Sequence, residues 1–168
     1  MRLLTERLIL RAPLPEDLDR MFAVYSDPHA MRYWSTPPHE TPQITKDLLD
    51  RRIAAWAAAP VNFQITLNDS YIGNAGNFRD DEIGFMLDPR YWRQGILTEA
   101  MRAIIPHLFT TTDHARLTAD ADPNNAASCG LLQKLGFAET HRAKNTFCIN
   151  GVWSDSVYFA LPRPAPLG

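Results

Sequence analysis

The sequence predicts an α/β protein of the mixed α+β kind: a largely antiparallel twisted sheet of about seven strands flanked by about four helices. Three observations carry this. Segments of strand-like alternation outnumber segments of helical period. Most strand segments follow one another with only a turn between them. Helical stripes occur both before and after the main run of strands. A doubly wound parallel sheet would instead need a crossover helix after nearly every strand.

Leu8-Ile9-Leu10 with Arg11 reads as the first strand. Pro15-Glu16-Asp17 opens a helix whose Leu18, Met21, Phe22 and Tyr25 share one face, and Asp27-Pro28 stops it. A loop rich in Pro and His runs from Trp34 to Pro42, and a second helix passes through Leu48, Leu49, Ile53 and Trp56. Phe63, Ile65 and Leu67 then alternate with Gln64 and Thr66. Asn68-Asp69-Ser70 turns that strand back into Tyr71-Ile72-Gly73. Asp80-Asp81 marks the turn into a strand at residues 82–87. After Asp88-Pro89 a loop ends at Gly95, and Met101, Ile104, Ile105, Leu108 and Phe109 form the buried stripe of a third helix. Pro106 is expected to bend it. Ala115 to Ala121 alternates as a strand. Asp122-Pro123-Asn124-Asn125 supplies a turn and a helix cap, Leu131, Leu132 and Leu135 line the fourth helix, and Gly136 ends it. Strands at Ala143 to Ile149 and Ser156 to Leu161 are joined by Asn150-Gly151, a strong hairpin turn.

The 168 residues suit a single domain over residues 1–161, with the Pro-rich tail 162–168 expected to leave the fold as an extended segment. A formal net charge of −2 supplies no broad positive field, which argues against nucleic acid as the main partner. Cys129 and Cys148 have no metal-ligand spacing, and His29, His39, His107, His114 and His141 are scattered, so no metal is expected. Glu6 and Arg7 interrupt the N-terminal apolar run, so it does not read as a secretory signal. No stretch approaches the roughly 20 apolar residues that span a bilayer. A cytoplasmic protein with no membrane partner is the expectation; oligomeric state, a homodimer included, stays open.

The most informative segment is Leu87 to Ala100, where a strand ends, a loop carries Arg90, Arg93 and Gly95, and a helix begins. The first turn of a helix leaves N–H groups unpaired and carries partial positive charge, so it can receive phosphate oxygens. Gly95 lets backbone approach a bulky anion, Thr98 can add a hydroxyl, and Arg93 a charge-assisted bond. Tyr91-Trp92-Arg93-Gln94-Gly95-Ile96-Leu97-Thr98-Glu99-Ala100 resembles the acetyl-CoA-binding motif of the GNAT superfamily, in the form typical of its RimJ/RimL branch. Glu6-Arg7-Leu8-Ile9-Leu10-Arg11 is similar to that family's first strand. Asn125 and Ser128 followed by Leu135-Gly136-Phe137 resemble its Asn-x-x-Ser…Leu-Gly-Phe helix, and Asn150-Gly151-Val152-Trp153 with Asp155 its closing hairpin. Leu97 departs from the small residue of the broader pattern, so its side chain must turn away from the pyrophosphate.

This resemblance implies a GNAT-type sheet and transfer of an acetyl group from acetyl-CoA to a primary amine, on a protein N-terminus or a small molecule, by direct attack in a ternary complex. It implies cofactor contacts from Phe85, Met86, Leu87, Trp92, Arg93, Gln94, Gly95, Ile96, Leu97, Thr98, Asn125 and Ser128. The pantetheine arm would pair with the exposed backbone of a strand splayed from its neighbour, and the N–H of Phe85 or Met86 would polarise the carbonyl. Glu82 in Glu82-Ile83-Gly84-Phe85 resembles the general base of the histone acetyltransferase branch, and its other reading is a surface acid beside Asp80 and Asp81. Ser128 matches the serine proposed to hydrogen-bond the CoA sulfur. The tyrosine that many members use as acid falls at Leu132, and the carboxylate of the ribosomal-protein enzymes falls at Phe147; both are missing. Tyr33, Trp34 and His39 lie in the segment expected to face the acceptor. A non-catalytic CoA-binding domain and a transferase of longer acyl groups are the competing functions.

Overall fold

The computed structural model describes residues 1–165. Along the chain run β1 (Arg2–Leu4), β2 (Ile9–Arg11), α1 (Leu18–Tyr25), α2 (Pro42–Ala58), β3 (Asn62–Leu67), β4 (Ser70–Arg79) and β5 (Glu82–Leu87). There follow α3 (Ile96–Thr111), β6 (Arg116–Ala121), α4 (Ala126–Lys134), β7 (Ala138–Ile149) and β8 (Val152–Pro162), with 3-10 turns at Pro15–Asp17 and Pro89–Tyr91. The strands form one eight-stranded sheet in the order β1-β2-β3-β4-β5-β6-β8-β7. It is antiparallel everywhere except between β5 and β6. The mixed, largely antiparallel architecture read from the sequence is therefore the observed one. The eighth strand is β1, whose three residues are too few to show a period.

The turns follow their residues. Asn68 and Asp69 take φ of 50° and 61° between β3 and β4, and Asn150 and Gly151 take 50° and 80° between β7 and β8. Asn and Asp tolerate this left-handed region better than other side chains, and Gly does so freely. Both closing strands are longer than their alternation suggests: β7 begins at Ala138 and β8 at Val152. β7 lies at the sheet edge and is almost wholly exposed, so no buried face imposes a readable period on it.

The helix α3 runs unbroken through Pro106, which lies on its exposed side, where water can serve the carbonyl that loses its donor. Its C-terminal carbonyls find a partner the sequence does not announce. The Arg163 guanidinium donates to the carbonyls of Phe109, of Thr112 at 2.7 Å and of His114 at 2.8 Å, and its N–H donates to Ala115 at 2.9 Å. The chain thus does not leave the fold at Pro162 as expected, because the open carbonyls of α3 and its following loop bind Arg163. Pro166 lies outside the described residues.

Two apolar clusters pack on the sheet. One joins Leu8, Leu10, Phe63, Ile65, Ile83 and Leu87 to Met101, Ile104 and Leu108 of α3 and Leu132 of α4. The other joins Met21, Val24 and Tyr25 of α1 and Leu49 of α2 to Tyr71 of β4 and Met86 of β5. Side chains along β5 therefore alternate: Ile83, Phe85 and Leu87 face α3, while Met86 faces α1.

A buried ion pair ties β2 to the 3-10 turn that leads into α1. Arg11 Nη1 and Nη2 donate to Asp17 Oδ2 and Oδ1 at 2.8 and 2.6 Å, and Asp17 also accepts the Leu14 N–H at 2.9 Å. The two side chains are 13% and 5% exposed, so removing one partner strands a desolvated charge. Asp17→Ala is expected to destabilise the fold by about 3–5 kcal/mol, read from urea unfolding. A loss under about 1 kcal/mol would mean the pair behaves as a surface one.

Candidate active site

The connection from β5 to α3 is held in shape before any ligand is considered. Asp88 accepts the Arg90 N–H at 2.9 Å and its Nε at 3.0 Å. Burial pushes the Asp88 carboxyl up, but these bonds outweigh it and hold the group below the usual carboxylate range. The Trp92 indole N–H donates to the Leu87 carbonyl at 2.9 Å. Arg93 and Gly95 both take left-handed φ, 59° and 76°, and a stretch of this kind turns successive N–H groups into one concavity.

Among the described residues, no backbone N–H of residues 93–98 finds a protein partner, and α3 has no side-chain cap. The first bond of the helix is Glu99 N–H to the Gly95 carbonyl at 3.0 Å. These consecutive donors, together with the helix dipole, form an anion-binding end. Ile96 is buried, and Leu97 packs partly against the α3 core. The bulk of Leu97 is thus turned inward, as its place in the loop requires. Arg93, Gln94 and Gly95 are exposed and Thr98 is half-buried.

Arg7 and Glu99, which motif reading does not single out, lock this loop to the N-terminal strands. Glu99 Oε1 accepts the Thr5 hydroxyl at 2.5 Å and the Arg7 N–H at 2.9 Å, and Oε2 accepts Arg7 Nε at 2.7 Å. Arg7 Nη1 donates to the Gln94 carbonyl at 3.0 Å. Burial raises the Glu99 carboxyl, and the Thr5 and Arg7 donors together bring it below its ordinary value. A Cβ built on Gly95 would lie 3.6 Å from Arg7 Nη2, so a fixed guanidinium borders the glycine.

The open edge is read from the pairing. β5 and β6 share one registered pair, Glu82 with Thr118, and then diverge. On the other side β5 pairs fully with β4, Asn74 opposite Met86 and Ala75 opposite Phe85, and the Asp88 N–H donates to the Ile72 carbonyl. Hydrogen-bonded and non-bonded pairs alternate in an antiparallel ladder, so Gly84, Met86 and Asp88 turn their N–H groups toward β4. Phe85 and Leu87 turn theirs into the gap. Of the two donors expected, Phe85 faces the open side. Met86 does not, because its N–H belongs to the β4 ladder and its side chain is buried beside α1.

Across the gap, the Asn125 side chain caps α4 by accepting the Ser128 N–H at 3.1 Å. The Ser128 side chain is half-buried, and among the described residues its hydroxyl has no hydrogen-bond partner, its own helix backbone included. Leu132 is 1% exposed and belongs to the core cluster. Phe147 lies half-buried on β7. Glu82 starts β5 on the same face as Gly84 and Met86, and its carboxylate is bound by Arg79 at 3.0 Å.

The segment between α1 and α2 also forms a cluster on that face. His39 stacks on Tyr25 with ring centroids 5.0 Å apart, and Trp34 lies between Tyr25 and Phe78 at 6.3 and 6.0 Å. A Cβ on Gly84 would come within 2.8 Å of the Phe78 ring, so Phe78 lies directly on β5. Tyr33 is engaged with Arg32 instead, the guanidinium 5.3 Å from its ring. The structure brings Trp34 and His39 together around Tyr25, while Tyr33 turns to Arg32, Glu82 starts β5 and Ser128 lies on α4.

If this loop is the phosphate cradle, acetyl-CoA should raise the melting temperature with concentration, and Gly95→Asp should abolish that stabilisation by setting a carboxylate against the phosphates. Differential scanning fluorimetry checks it; undiminished stabilisation in the variant would remove the loop from the site.

Comparison with known proteins gives the family and the fold. Residues 7–138 match the family model described as acetyltransferase (GNAT) domain. The chain is 31% identical over 168 residues to an uncharacterized N-acetyltransferase, p20, of Bacillus licheniformis, covering 95% of this chain and 94% of that one. A GNAT-family acetyltransferase from Bacillus anthracis superposes with a TM-score of 0.84 at 23% identity, over 97% of this chain and 99% of that one. RimL, a ribosomal L7/L12 α-N-protein acetyltransferase in complex with coenzyme A, superposes with a TM-score of 0.85 at 18% identity, over 96% and 98%. These two structures speak for the fold alone. The matched model spans most of the chain and includes both the Gly95 loop and α4, and the chain belongs to the GNAT acetyltransferase family.

Proposed function

We propose that the protein transfers an acetyl group from acetyl-CoA to a primary amine, on a small molecule or a protein N-terminus, by direct attack in a ternary complex. The observation that carries this reading is the run of unpaired N–H groups at residues 93–98, set beside a strand whose Phe85 and Leu87 N–H groups face an open gap. When bound, the thioester supplies an activated acyl group and a thiol leaving group. The loop amides, with Arg93, Arg7 and the Thr98 hydroxyl, receive the pyrophosphate. The gap-facing backbone of Phe85 and Leu87 receives the pantetheine arm, and the Phe85 N–H donates to the carbonyl oxygen as charge builds on it.

Ser128 is our candidate for the group that hydrogen-bonds the sulfur, since its hydroxyl is unengaged at the mouth of α4. Asn125 retains its amide N–H donors for the pantetheine while its oxygen caps the helix. Glu82 is our candidate base, acting through water from the face that also carries Trp34 and Phe78. The lack of an acid at Leu132 and of a carboxylate at Phe147 favours one other reading, a CoA-binding domain without turnover.

Acceptor-dependent thiol release, screened over primary amines, decides between them. The same assay with succinyl-CoA reads acyl preference. Ser128→Ala is expected to lower kcat with little change in acetyl-CoA affinity, because the bond strengthens as the sulfur gains charge. A fall in affinity with unchanged kcat would make Ser128 a binding residue only.

Glu82→Gln keeps the shape and removes the basicity. Its rate near neutrality should fall roughly 10²–10⁴-fold and recover partly at high pH, where the amine deprotonates unaided. Superimposable pH–rate profiles of wild type and variant would reduce Glu82 to the surface partner of Arg79.

A further inference from the structure

Beside the gap, on the α1 face of the sheet, lies a guanidinium with no counterion. Arg52 of α2 donates from Nη2 to the Tyr25 hydroxyl at 2.7 Å. The Tyr25 hydroxyl donates in turn to Asn74 Oδ1 at 2.9 Å, and the same oxygen accepts from Tyr71 at 3.1 Å. The guanidinium lies 5.5 Å from the Tyr25 ring centroid and 5.7 Å from that of Phe78. Among the described residues no carboxylate pairs with it.

Two donors in this cluster are left over. Arg52 Nη1 and Asn74 Nδ2 are buried and have no partner, and they are two of the three such side-chain atoms among the described residues. Asn74 is 0% exposed. Both donors belong to side chains bonded to one Tyr25 hydroxyl, so they are neighbours in a single network. A buried donor without a partner costs free energy, and an unpaired buried cation costs more. His39 at the edge of the cluster does not relieve the Arg52 charge. Burial lowers the His39 pKa and the Arg52 charge lowers it further, which keeps the ring neutral near pH 7. The enclosing rings of Tyr25, Trp34, His39 and Phe78 offer no negative group.

What would satisfy both donors is one planar group with two acceptor oxygens and a negative charge. We infer that the acceptor amine carries a carboxylate, held by Arg52 Nη1 and Asn74 Nδ2 inside this aromatic enclosure. The inference rests on the transfer reading above and narrows its acceptor. Phe78, over which the Arg52 guanidinium lies, packs on Gly84, the residue before Phe85, so the cluster adjoins the strand that borders the gap. Arg suits this role because one nitrogen of its fork stays on Tyr25 while the other, fixed in the same plane, carries charge toward the carboxylate.

The test compares free amino acids, both α- and ω-amino, with the corresponding carboxamides as acceptors at saturating acetyl-CoA, by thiol release. Wild type should favour the acids in kcat/KM by roughly 10-fold or more, the usual weight of a hydrogen bond to a charged group. The α-amine of an amide ionises below that of the acid, so a bias from amine basicity alone would favour the amide. Arg52→Met keeps the apolar stem against Tyr25 and Phe78. It should raise KM for the acids roughly 10- to 100-fold with a much smaller effect on kcat, and Arg52→Lys should restore part of the preference. Equal turnover of acids and amides by wild type would mean that water alone satisfies the two donors, and would overturn the inference while leaving amine acetylation intact. Turnover of neither form, nor of any other amine, would overturn the transfer reading itself.

Discussion

One parallel contact organises the molecule: Glu82 opposite Thr118 is the sole registered pair between β5 and β6. A parallel neighbour cannot be reached by a hairpin, so the chain must cross over, and α3 is that crossover. The crossover fixes the N-terminus of α3 at the carboxyl end of β5, where its free N–H groups lie beside the strand's unpaired edge. Had β6 continued alongside β5, the Phe85 and Leu87 donors would have been spent on the ladder. The divergence holds because each strand has its full complement of bonds on its far side, β5 with β4 and β6 with β8. The cost of the gap is a short run of open backbone, which is the kind of edge that an extended ligand arm can complete.

Geometry at the helix end depends on a contact from far away in sequence. Thr5 and Arg7, in the turn between β1 and β2, converge on Glu99, one turn into α3. A carboxylate near a helix N-terminus is stabilised by the dipole, yet here it also neutralises Arg7 and holds it against the loop. The loop amides are then left free, because Glu99 is engaged by the N-terminal segment instead of folding back to cap its own helix. The acids beside these amides are already committed, Glu99 to Thr5 and Arg7 and Asp88 to Arg90.

Much of this was legible in the sequence. The stripe from Met101 to Phe109, the Asn-Gly turn at residues 150–151 and the glycine before α3 are local signals, and local signals survive into the structure because the fold agrees with them. What was not legible rests on distant pairs. Nothing near Arg7 indicates Glu99, 92 residues away, and Arg163 lies in a segment whose prolines read as an exit from the fold. Period also fails where burial is one-sided or absent: β7 has too few buried positions to declare itself, and Arg52 lies on an α2 whose only fully buried residues are Thr45 and Leu49. A charged residue on such a helix reads as solvent-facing until α1 and β4 are brought against it.

The sheet separates two surfaces, its open edge and its α1 face. In-plane donors of Phe85 and Leu87 face the gap, and the free N–H groups before α3 lie at its end. The α1 face carries Gly84 between Glu82 and Met86. Gly84 matters to this division because any side chain there would collide with Phe78 and push the aromatic cluster off the strand. The catalytic demands fit such an arrangement. Transfer from a thioester needs orientation and a donor for the carbonyl oxygen more than it needs a strong acid, and orientation of two bound partners alone can lower a barrier by about 7–11 kcal/mol. Leu132 is built into the core, where it serves packing. The open edge of β5 and the free N–H groups before α3 are backbone features, and neither depends on the side chain at that position.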